Sequence, residues 1–347
     1  MLMVIFGAGA SHDSAATFPP STPVGSDEHS RPPLADGLFQ QNSFFDRWVE
    51  KYPECTPVVT RLRLHTRATL EDEMERYRLE AEHEPQRAVE LNAVRYYLRW
   101  LLWGCSAEWL QHTKGVTNYV SLLGDIRVWK NIHPTEEVRF VTFNYDTLLE
   151  HACQRALQIN MSSVSSYVSP RVGYKVFKPH GSVNWVRTLS DNTGVEAAGN
   201  VEQSIIALGH RVQLATGFHL MADPSQITLE GRYVFPALAL PVNTKVAFEC
   251  PDDHMAQLEA DIPLVTKLLV IGWRATEPHF LQFWKEPRPG SVPDSISKIT
   301  IVAGGASQAQ GVQQNLIAAG IQGKFELSDG GFSQFVAGPE LRRFLAD

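Results

Sequence analysis

Short apolar segments that stop at glycine or at polar side chains recur along the chain. Residues 2–6, 140–143, 267–271 and 299–303 are rich in β-branched and aromatic side chains, a composition typical of buried strands. Most of them are followed by apolar residues at helical spacing. This repetition predicts an α/β fold, with a Rossmann-like parallel sheet that is covered by helices on both faces.

The stretch between the first two predicted strands has helical periodicity. We expect a helical block over residues 44–112 and a further helix over residues 118–128. The strongest signal is an apolar stripe at helical spacing, formed by Val94, Tyr97, Leu98, Leu101, Leu102, Cys105 and Trp109. Such a stripe is typical of a core helix, and a subunit or domain interface is the alternative. The pattern predicts one domain, residues 1–347, with a helical insertion over residues 44–130.

Elements in the second half of the chain are less regular. Residues 204–208 and 233–240 have the composition of short strands. A last strand is expected over residues 324–327, and one final helix over residues 332–345.

Composition narrows the class of protein. The chain has 347 residues, 44% of them hydrophobic, and a formal net charge of −7, which argues against a broad nucleic-acid surface. Its four cysteines are scattered without a C-x-x-C pair, which argues against a zinc ribbon or a disulfide framework. The apolar start is too short for a signal peptide, and no apolar run approaches the roughly 20 residues of a membrane helix. We therefore expect a soluble cytoplasmic protein without direct nucleic-acid or membrane contacts.

The first strand leads directly into a glycine-rich turn. Its residues are Gly7, Ala8, Gly9, Ala10 and Ser11. Glycines in such a turn let the backbone approach a pyrophosphate, and a helix amino terminus offers free N–H groups to the charge. The third glycine of the dinucleotide fingerprint is missing, so a tight turn without a ligand is the alternative.

Polar side chains follow two later strands. Asn144 and Asp146 come after the strand at 140–143, where an open parallel sheet presents ligand-binding groups. His180 stands beside Gly181 and Ser182, and its ordinary pKa of about 6.5 lets it exchange protons near neutrality. A structural histidine is the alternative.

A segment rich in Pro, Ser and Gly covers residues 17–33. Long loops in compact domains are usually functional or disordered. We expect this one to fold over a ligand, with Arg31 available for a phosphate or a ribose. A surface loop anchored by Leu34 and Phe39 is the alternative.

Taken together and in this order, four segments resemble the sirtuin (silent information regulator) superfamily. The similarity is greatest to its bacterial sirtuin-like branch, whose members include NAD-hydrolysing antiphage effectors. It is carried by Gly-Ala-Gly-x-Ser at 7–11, Asn-Tyr-Asp at 144–146, His-Gly-Ser at 180–182, and a strand–Gly segment at 272–280 that ends in Pro-His-Phe. The resemblance spans nearly the whole chain.

The resemblance implies a role for each candidate residue. Asn144 would lie by the nicotinamide ribose and the attacking water, Asp146 by the carboxamide, and His180 by the ribose hydroxyls. Arg31 would belong to a loop over the nicotinamide end. The remaining NAD-binding residues implied are Gly7, Ala8, Gly9 and Ser11 at the pyrophosphate, Gly181 and Ser182, and Gly272 and Glu277 on the adenosine side. Glu277 ends an Arg-Ala-Thr-Glu stretch where the branch often has Ser-x-x-Asp, which leaves its role open.

The resemblance also implies an activity. Deacylases of the superfamily carry a four-cysteine zinc module after the His-Gly pair, whereas here only Cys250 follows Cys153. This favours an NAD+ glycohydrolase that uses NAD+ as substrate and no metal, and that serves antiphage defence by abortive infection. Control by homo-oligomerisation or by a partner such as a HerA-type hexameric ATPase is expected. The alternatives are an NAD-dependent protein deacylase or ADP-ribosyltransferase, and a non-catalytic NAD or ADP-ribose sensor.

Overall fold

A computed structural model of the chain describes residues 1–15, 30–64, 69–169, 173–196, 199–242, 248–285 and 296–346. The strands are β1 Leu2–Phe6, β2 Val138–Thr142, β3 Tyr174–Phe177, β4 Gly181–Leu189, β5 Leu214–Leu220, β6 Thr228–Leu229, β7 Arg232–Leu238, β8 Lys267–Ile271, β9 Ile296–Val302 and β10 Gly323–Ser328. The helices are α1 Ala8–His12, α2 Ser43–Lys51, α3 Thr56–Leu64, α4 Leu70–Ala81, α5 Pro85–His112, α6 Asn118–Ile132, α7 Leu148–Ala152, α8 Val201–Ala207, α9 Asp252–Asp261, α10 Pro278–Gln282, α11 Ala306–Ala318, α12 Gly331–Ala337 and α13 Glu340–Ala346.

Six strands form a parallel sheet in the order β10-β9-β8-β1-β2-β3. Every residue of β1 and β2 is buried. Because successive side chains of a strand point to opposite faces, both faces of the sheet must be covered. The predicted Rossmann-like sheet with helices on both faces is confirmed.

The register of the central strands decides where their loops begin. Phe6, the last residue of β1, is paired with Thr142 of β2 on one side and with Ile271 of β8 on the other. The segments that follow these three strands therefore leave the sheet side by side at its carboxyl edge. In open α/β sheets this edge is where ligands bind.

Two hydrophobic cores share one long helix. The first core surrounds the parallel sheet and includes Trp109 near the end of α5. The second core lies among α2–α5, α8 and the strands β4 and β7, and includes Val94 and Leu98 from the middle of α5. The apolar stripe predicted along this helix is buried throughout, as expected for a core helix.

A second sheet was not predicted from the sequence. It is antiparallel, with the order β5-β4-β7-β6. The prediction of a strand over residues 204–208 is wrong, because Asn200 caps helix α8 and Val201, Ile205 and Ile206 are buried at helical spacing. The single final helix is also wrong. The chain is extended at Gly338, as the residue before a proline prefers, and α12 and α13 are separate helices.

No helix in the described part of the chain has the length and apolar character needed to cross a membrane.

Candidate functional site

A cavity of about 650 Å³ lies at the carboxyl edge of the parallel sheet. Its size suits a small organic ligand or a nucleotide. The predicted site residues that line it are Gly7, Ala8, Gly9, Ser11, Asn144, Asp146, His180, Gly272 and Glu277. Arg31, Gly181 and Ser182 do not line it. The structure thus brings together segments that lie more than 130 residues apart in the sequence.

The glycines of the β1–α1 turn pack against the loop that follows β8. Gly7 N donates to Ile271 O and Gly9 N to Gly272 O, both at 3.0 Å. A Cβ atom on Gly7 would lie 2.5 Å from the Cα of Trp273, and one on Gly9 would lie 2.9 Å from the Cα of Gly272. The sequence interpretation assigned these glycines to a pyrophosphate. The close approach seen in the structure is to the neighbouring loop, and the pyrophosphate contact stays a prediction.

The orientation of the Asn144 side chain is fixed by three acceptors, which share the two hydrogens of its amide nitrogen. Its Nδ2 donates to Gly7 O at 2.9 Å, to Ser11 Oγ at 2.9 Å and to Tyr119 OH at 3.2 Å. Since a carbonyl oxygen can only accept, the atom that faces Gly7 must be the amide nitrogen. The amide oxygen Oδ1 is thereby left as the acceptor for a ligand. Such an oxygen can hold a water molecule.

Asp146 lies two residues further on, at the start of α7. Its Oδ1 accepts a hydrogen bond from Leu148 N at 3.0 Å. Burial raises the pKa of the Asp146 carboxyl group, and the neighbouring Lys178 ammonium partly opposes that rise. Asp146 therefore combines a local structural contact with an acidic group in the cavity wall.

His180 follows β3 and lies among aromatic rings. Its ring centre is 4.9 Å from that of Phe143 and 6.2 Å from that of Tyr145. Gly181 has a φ of +78°, and a Cβ atom there would lie 2.0 Å from Ala237 O in β7. Ser182 Oγ donates to Tyr145 O at 3.3 Å. Gly181 and Ser182 therefore lie behind His180 and hold the turn that presents it.

The segment after β8 forms the opposite wall. Trp273 stacks on Phe143 with ring centres 5.1 Å apart, and its Nε1 donates to the carboxylate of Glu277 at 2.5 Å. Arg274 forms an ion pair with Asp36 at 2.7 Å, which joins this segment to the one that follows the predicted loop. Glu277 thus orients a tryptophan in the cavity wall, a role that the sequence did not indicate.

The predicted loop over the ligand falls mostly on residues 16–29, which lie outside the described residues. Of its described end, Pro32 and Pro33 line the cavity, and Pro32 O is 2.9 Å from Nδ1 of His12. The guanidinium of Arg31 lies over the ring of Trp109 at 5.5 Å. This contact directs Arg31 towards α5 and not into the cavity wall.

Several wall residues were not found by sequence reasoning. The wall carries four carboxylates, from Asp13, Glu71, Asp146 and Glu277, and among the lysines and arginines of the described ranges Arg274 alone lines it. Glu71 lies in the first turn of α4 after the Thr69 cap, where acidic residues are favoured by the helix itself and so do not indicate a ligand site. Gly304 and Gln308 follow β9 and could have been found from the same strand-end pattern as Asn144.

The cysteines are separate from the cavity. Cys55, Cys105, Cys153 and Cys250 are free and buried. Within the described ranges, no three His, Cys, Asp or Glu side chains are grouped so that they could hold a metal ion.

Fold and cavity define an α/β protein with a nucleotide-sized site at the carboxyl edge of a parallel sheet. No family model and no curated protein matches the chain. Solved structures of low similarity include a mutant Sir2 homologue in complex with 2'-O-acetyl ADP ribose, at 13% identity over 99% of this chain and 91% of that one, with a TM-score of 0.42. A second is Sir2Tm bound to a propionylated peptide, at 11% identity over 99% of this chain and 94% of that one, with a TM-score of 0.40. A third is Sir2 with a p53 peptide and NAD+, at 12% identity over 97% of this chain and 90% of that one, with a TM-score of 0.38. Similarity this low carries no weight for function, which has to be inferred from the residues of this chain.

Proposed function

We propose that the chain is an NAD+ glycohydrolase, which uses water to cleave the nicotinamide–ribose bond and releases nicotinamide and ADP-ribose. One observation carries the proposal. Asn144, Asp146 and His180 meet the β1–α1 turn in a single cavity of nucleotide size, as the order of the sirtuin-like motifs implies.

The charge of the wall suits this reaction. Cleavage of the bond between nicotinamide and ribose develops positive charge on the ribose, in a transition state that resembles an oxocarbenium ion. A wall with four carboxylates and one arginine stabilises such a charge more than it stabilises the ground state. A ligand that carries more phosphate groups than NAD+ would bind to this acidic wall less tightly than NAD+ does.

Asn144 has the geometry to hold the attacking water. Its amide nitrogen is occupied by three protein acceptors, so its oxygen is the group that a water molecule can reach. Fixing water and substrate in one geometry supplies several kcal/mol of barrier lowering. Asp146 then orients the carboxamide, and His180 either binds a ribose hydroxyl or accepts the proton of the water.

A deacylase is the less favoured activity. The zinc-bearing deacylases of the superfamily use a cluster of four cysteines, whereas the four cysteines here are separately buried and free. Incubation with an acylated peptide and NAD+ separates the activities, because hydrolysis releases nicotinamide without consuming the peptide.

The test is nicotinamide release from NAD+ by purified wild-type protein and by Asn144→Ala and His180→Ala. Both variants are expected to fold and to lose NAD+ cleavage. Asn92→Ala and His210→Ala are the controls, since both residues lie outside the cavity: Asn92 makes a buried hydrogen bond to Gly209 O, and His210 makes a partly buried one to Ala81 O. Wild-type turnover in either cavity variant would contradict the assignment. Tight NAD+ binding without nicotinamide release would instead indicate a sensor.

We further propose that the enzyme serves antiphage defence by depleting NAD+ in infected cells. An activity of this kind must be restrained at rest, which motivates control by oligomerisation or by a partner such as a HerA-type hexameric ATPase. Light scattering together with nicotinamide release, measured with and without the product of the neighbouring gene, tests this control. Full activity of the isolated monomer would contradict it.

A further inference from the structure

A buried ion pair lies directly behind the cavity wall. Lys178 is fully buried, and its Nζ donates to Glu150 Oε1 at 2.7 Å and to the backbone carbonyl of Asp146 at 2.6 Å. Neither Lys178 nor Glu150 lines the cavity. The pair therefore acts on a ligand through the residues that line the cavity.

The ion pair connects the segments that carry the proposed catalytic residues. Lys178 stands two residues before His180, and Glu150 lies on α7, four residues after Asp146. Glu150 Oε1 also accepts a hydrogen bond from Tyr167 OH at 3.1 Å. One ammonium group thus ties the loop after β2 to the turn after β3.

Stability alone is a poor explanation for this arrangement. Taking two charges out of water is costly, and apolar residues of similar volume often replace a buried ion pair without loss of stability. A charge kept at this position therefore points to a role in the neighbouring site.

We propose that Lys178 is a positioning residue, whose ammonium, held by Glu150, fixes the Asp146 loop relative to His180 and places a positive charge beside the Asp146 carboxylate. This inference rests on the proposed NAD+ cleavage and names a further residue that the reaction requires.

The electrostatic surroundings of Asp146 give the proposal a direction. The groups that act on its carboxylate are Lys178, Glu150, the Ser11 hydroxyl, the Leu148 N–H, Tyr119 and Cys105. Burial raises the pKa values of Tyr119 and Cys105, so both stay neutral at neutral pH. Lys178 and Glu150 are the charged members of this set, and they shift the pKa of Asp146 in opposite directions.

The central test is the double variant Lys178→Met/Glu150→Leu, which replaces the pair by apolar side chains of similar size. We expect its melting temperature to stay near that of the wild type. Its kcat for nicotinamide release should fall about 100-fold, the loss that a misplacement of about 1 Å can cause, with KM changed less than about threefold. The acid limb of its pH profile should move to higher pH, because the lowering of the Asp146 pKa by Lys178 is larger than the raising by Glu150, and both are lost together.

A second variant keeps the test decisive if the double variant does not fold. Glu150→Gln retains an acceptor for Lys178 and removes the negative charge that raises the pKa of Asp146. Its acid limb should move to lower pH, opposite to the double variant. Lys175→Met is the control, because Lys175 lies on β3, just before Lys178, and pairs with Asp261 at 3.4 Å. The kcat and pH profile of this variant should match the wild type.

The outcomes separate this proposal from the proposed function. A double variant with wild-type kcat and acid limb, or a Glu150→Gln limb that moves to higher pH, would overturn the role of Lys178. If the wild type releases no nicotinamide, the proposed function fails. The role of Lys178 is then tested by titrating the Asp146 carboxyl group, followed by ¹³C NMR. An Asp146 pKa that is higher in the double variant and lower in Glu150→Gln supports the electrostatic role, and an unchanged pKa overturns it.

Discussion

The Tyr119 hydroxyl links two polar residues of the cavity wall, Ser11 and Asn144, at 2.9 and 3.2 Å. In Tyr119→Phe the two amide hydrogens of Asn144 keep Gly7 O and Ser11 Oγ as acceptors. The Ser11 hydroxyl loses Tyr119 as a partner, so Ser11 and Asn144 are held less rigidly and we expect kcat for NAD+ cleavage to fall about 10-fold or more. The loss of a buried hydrogen bond should lower the free energy of unfolding by about 1 kcal/mol. Nicotinamide release and urea unfolding measure the two effects.

Tyr96→Phe is the matched control for this prediction. Tyr96 is also buried, and its hydroxyl donates to Val234 O at 3.2 Å, away from the cavity. It should lose similar stability and keep wild-type kcat. If both tyrosine variants lose activity equally, the link from Tyr119 to Asn144 has no special role.

The raised pKa of Asp146 predicts how the stability of the protein depends on pH. Its folded pKa is raised by burial, so the folded state binds more protons than the unfolded state between about pH 3.9, the ordinary Asp value, and that raised value. Stability from the protonated acid is therefore present below this window and is lost as pH rises through the folded pKa. Asp146→Asn, which stays neutral and can still accept from Leu148 N, should be more stable than wild type at neutral pH and equal to it below about pH 4.

Melting temperatures of both proteins between pH 3 and 8 check this prediction. A stability difference that is constant with pH, or that grows as pH falls, would show that the folded pKa of Asp146 is not raised. The same variant should lack NAD+ cleavage at every pH.

The residues that the sequence predicted are those that follow strands directly. Asn144, Asp146 and His180 could be found because their place after apolar segments fixes their place on the sheet edge. Tyr119 and Glu71 could not, since they come from helices whose docking depends on tertiary contacts. The sequence gives one indication of Lys178, a charged residue at the end of an apolar strand just before His180. Nothing in the sequence shows that this charge is paired with Glu150.

At the scale of elements, the contact between the β1–α1 turn and the β8 loop has no room for a methyl group. In Gly7→Ala the new Cβ would lie 2.5 Å from the Cα of Trp273 and 2.6 Å from Gly272 O, both backbone atoms. We expect a loss of about 1–3 kcal/mol in the free energy of unfolding, as for overpacking, together with weaker NAD+ binding. Urea unfolding and calorimetric titration with NAD+ measure both.

Gly124→Ala is the control for Gly7→Ala. Gly124 lies within α6, and a Cβ atom there would meet nothing within 4 Å. Because alanine favours a helix over glycine, this variant should gain about 0.5–1 kcal/mol. Tolerance of alanine at Gly7 would mean that the turn and the β8 loop are not packed as described.

The elements whose apolar residues follow one clear pattern, a strand run or a helical stripe, were predicted well. β1 and β8 are almost entirely apolar, β2 and β9 are mostly apolar towards their carboxyl ends, and α5 has an unbroken stripe, so composition identifies them. The helix at 201–207 was missed because its short apolar run fits a strand equally well until the Asn200 cap is considered. The antiparallel sheet could not be predicted, since the pairing of β4 with β5 and β7 is fixed by contacts and not by local composition.

At the scale of the whole molecule, α5 makes the helical region and the parallel sheet one unit. The helix has 28 residues, and its Trp109 packs in the first core and donates from Nε1 to Ser14 Oγ at 2.8 Å. Leu98, three turns earlier, is fully buried in the second core. We therefore propose that residues 44–130 are a part of the single domain and do not unfold independently.

Leu98→Ala tests this proposal because it creates a cavity in the second core only. We expect a loss of about 2–5 kcal/mol in the free energy of unfolding. If the two cores are coupled through α5, the β1 amides of the parallel sheet should lose hydrogen-exchange protection by the same amount, and unfolding should remain a single transition by fluorescence and circular dichroism. Val128→Ala, at an exposed position of α6, should change stability by less than about 0.5 kcal/mol.

Unchanged protection of β1 in Leu98→Ala, or two separate transitions, would show that the helical region is a domain of its own. The cavity, which takes Glu71 and Leu102 from that region and Gly7 and Asn144 from the sheet, would then be an interdomain site whose affinity for NAD+ depends on how the domains meet.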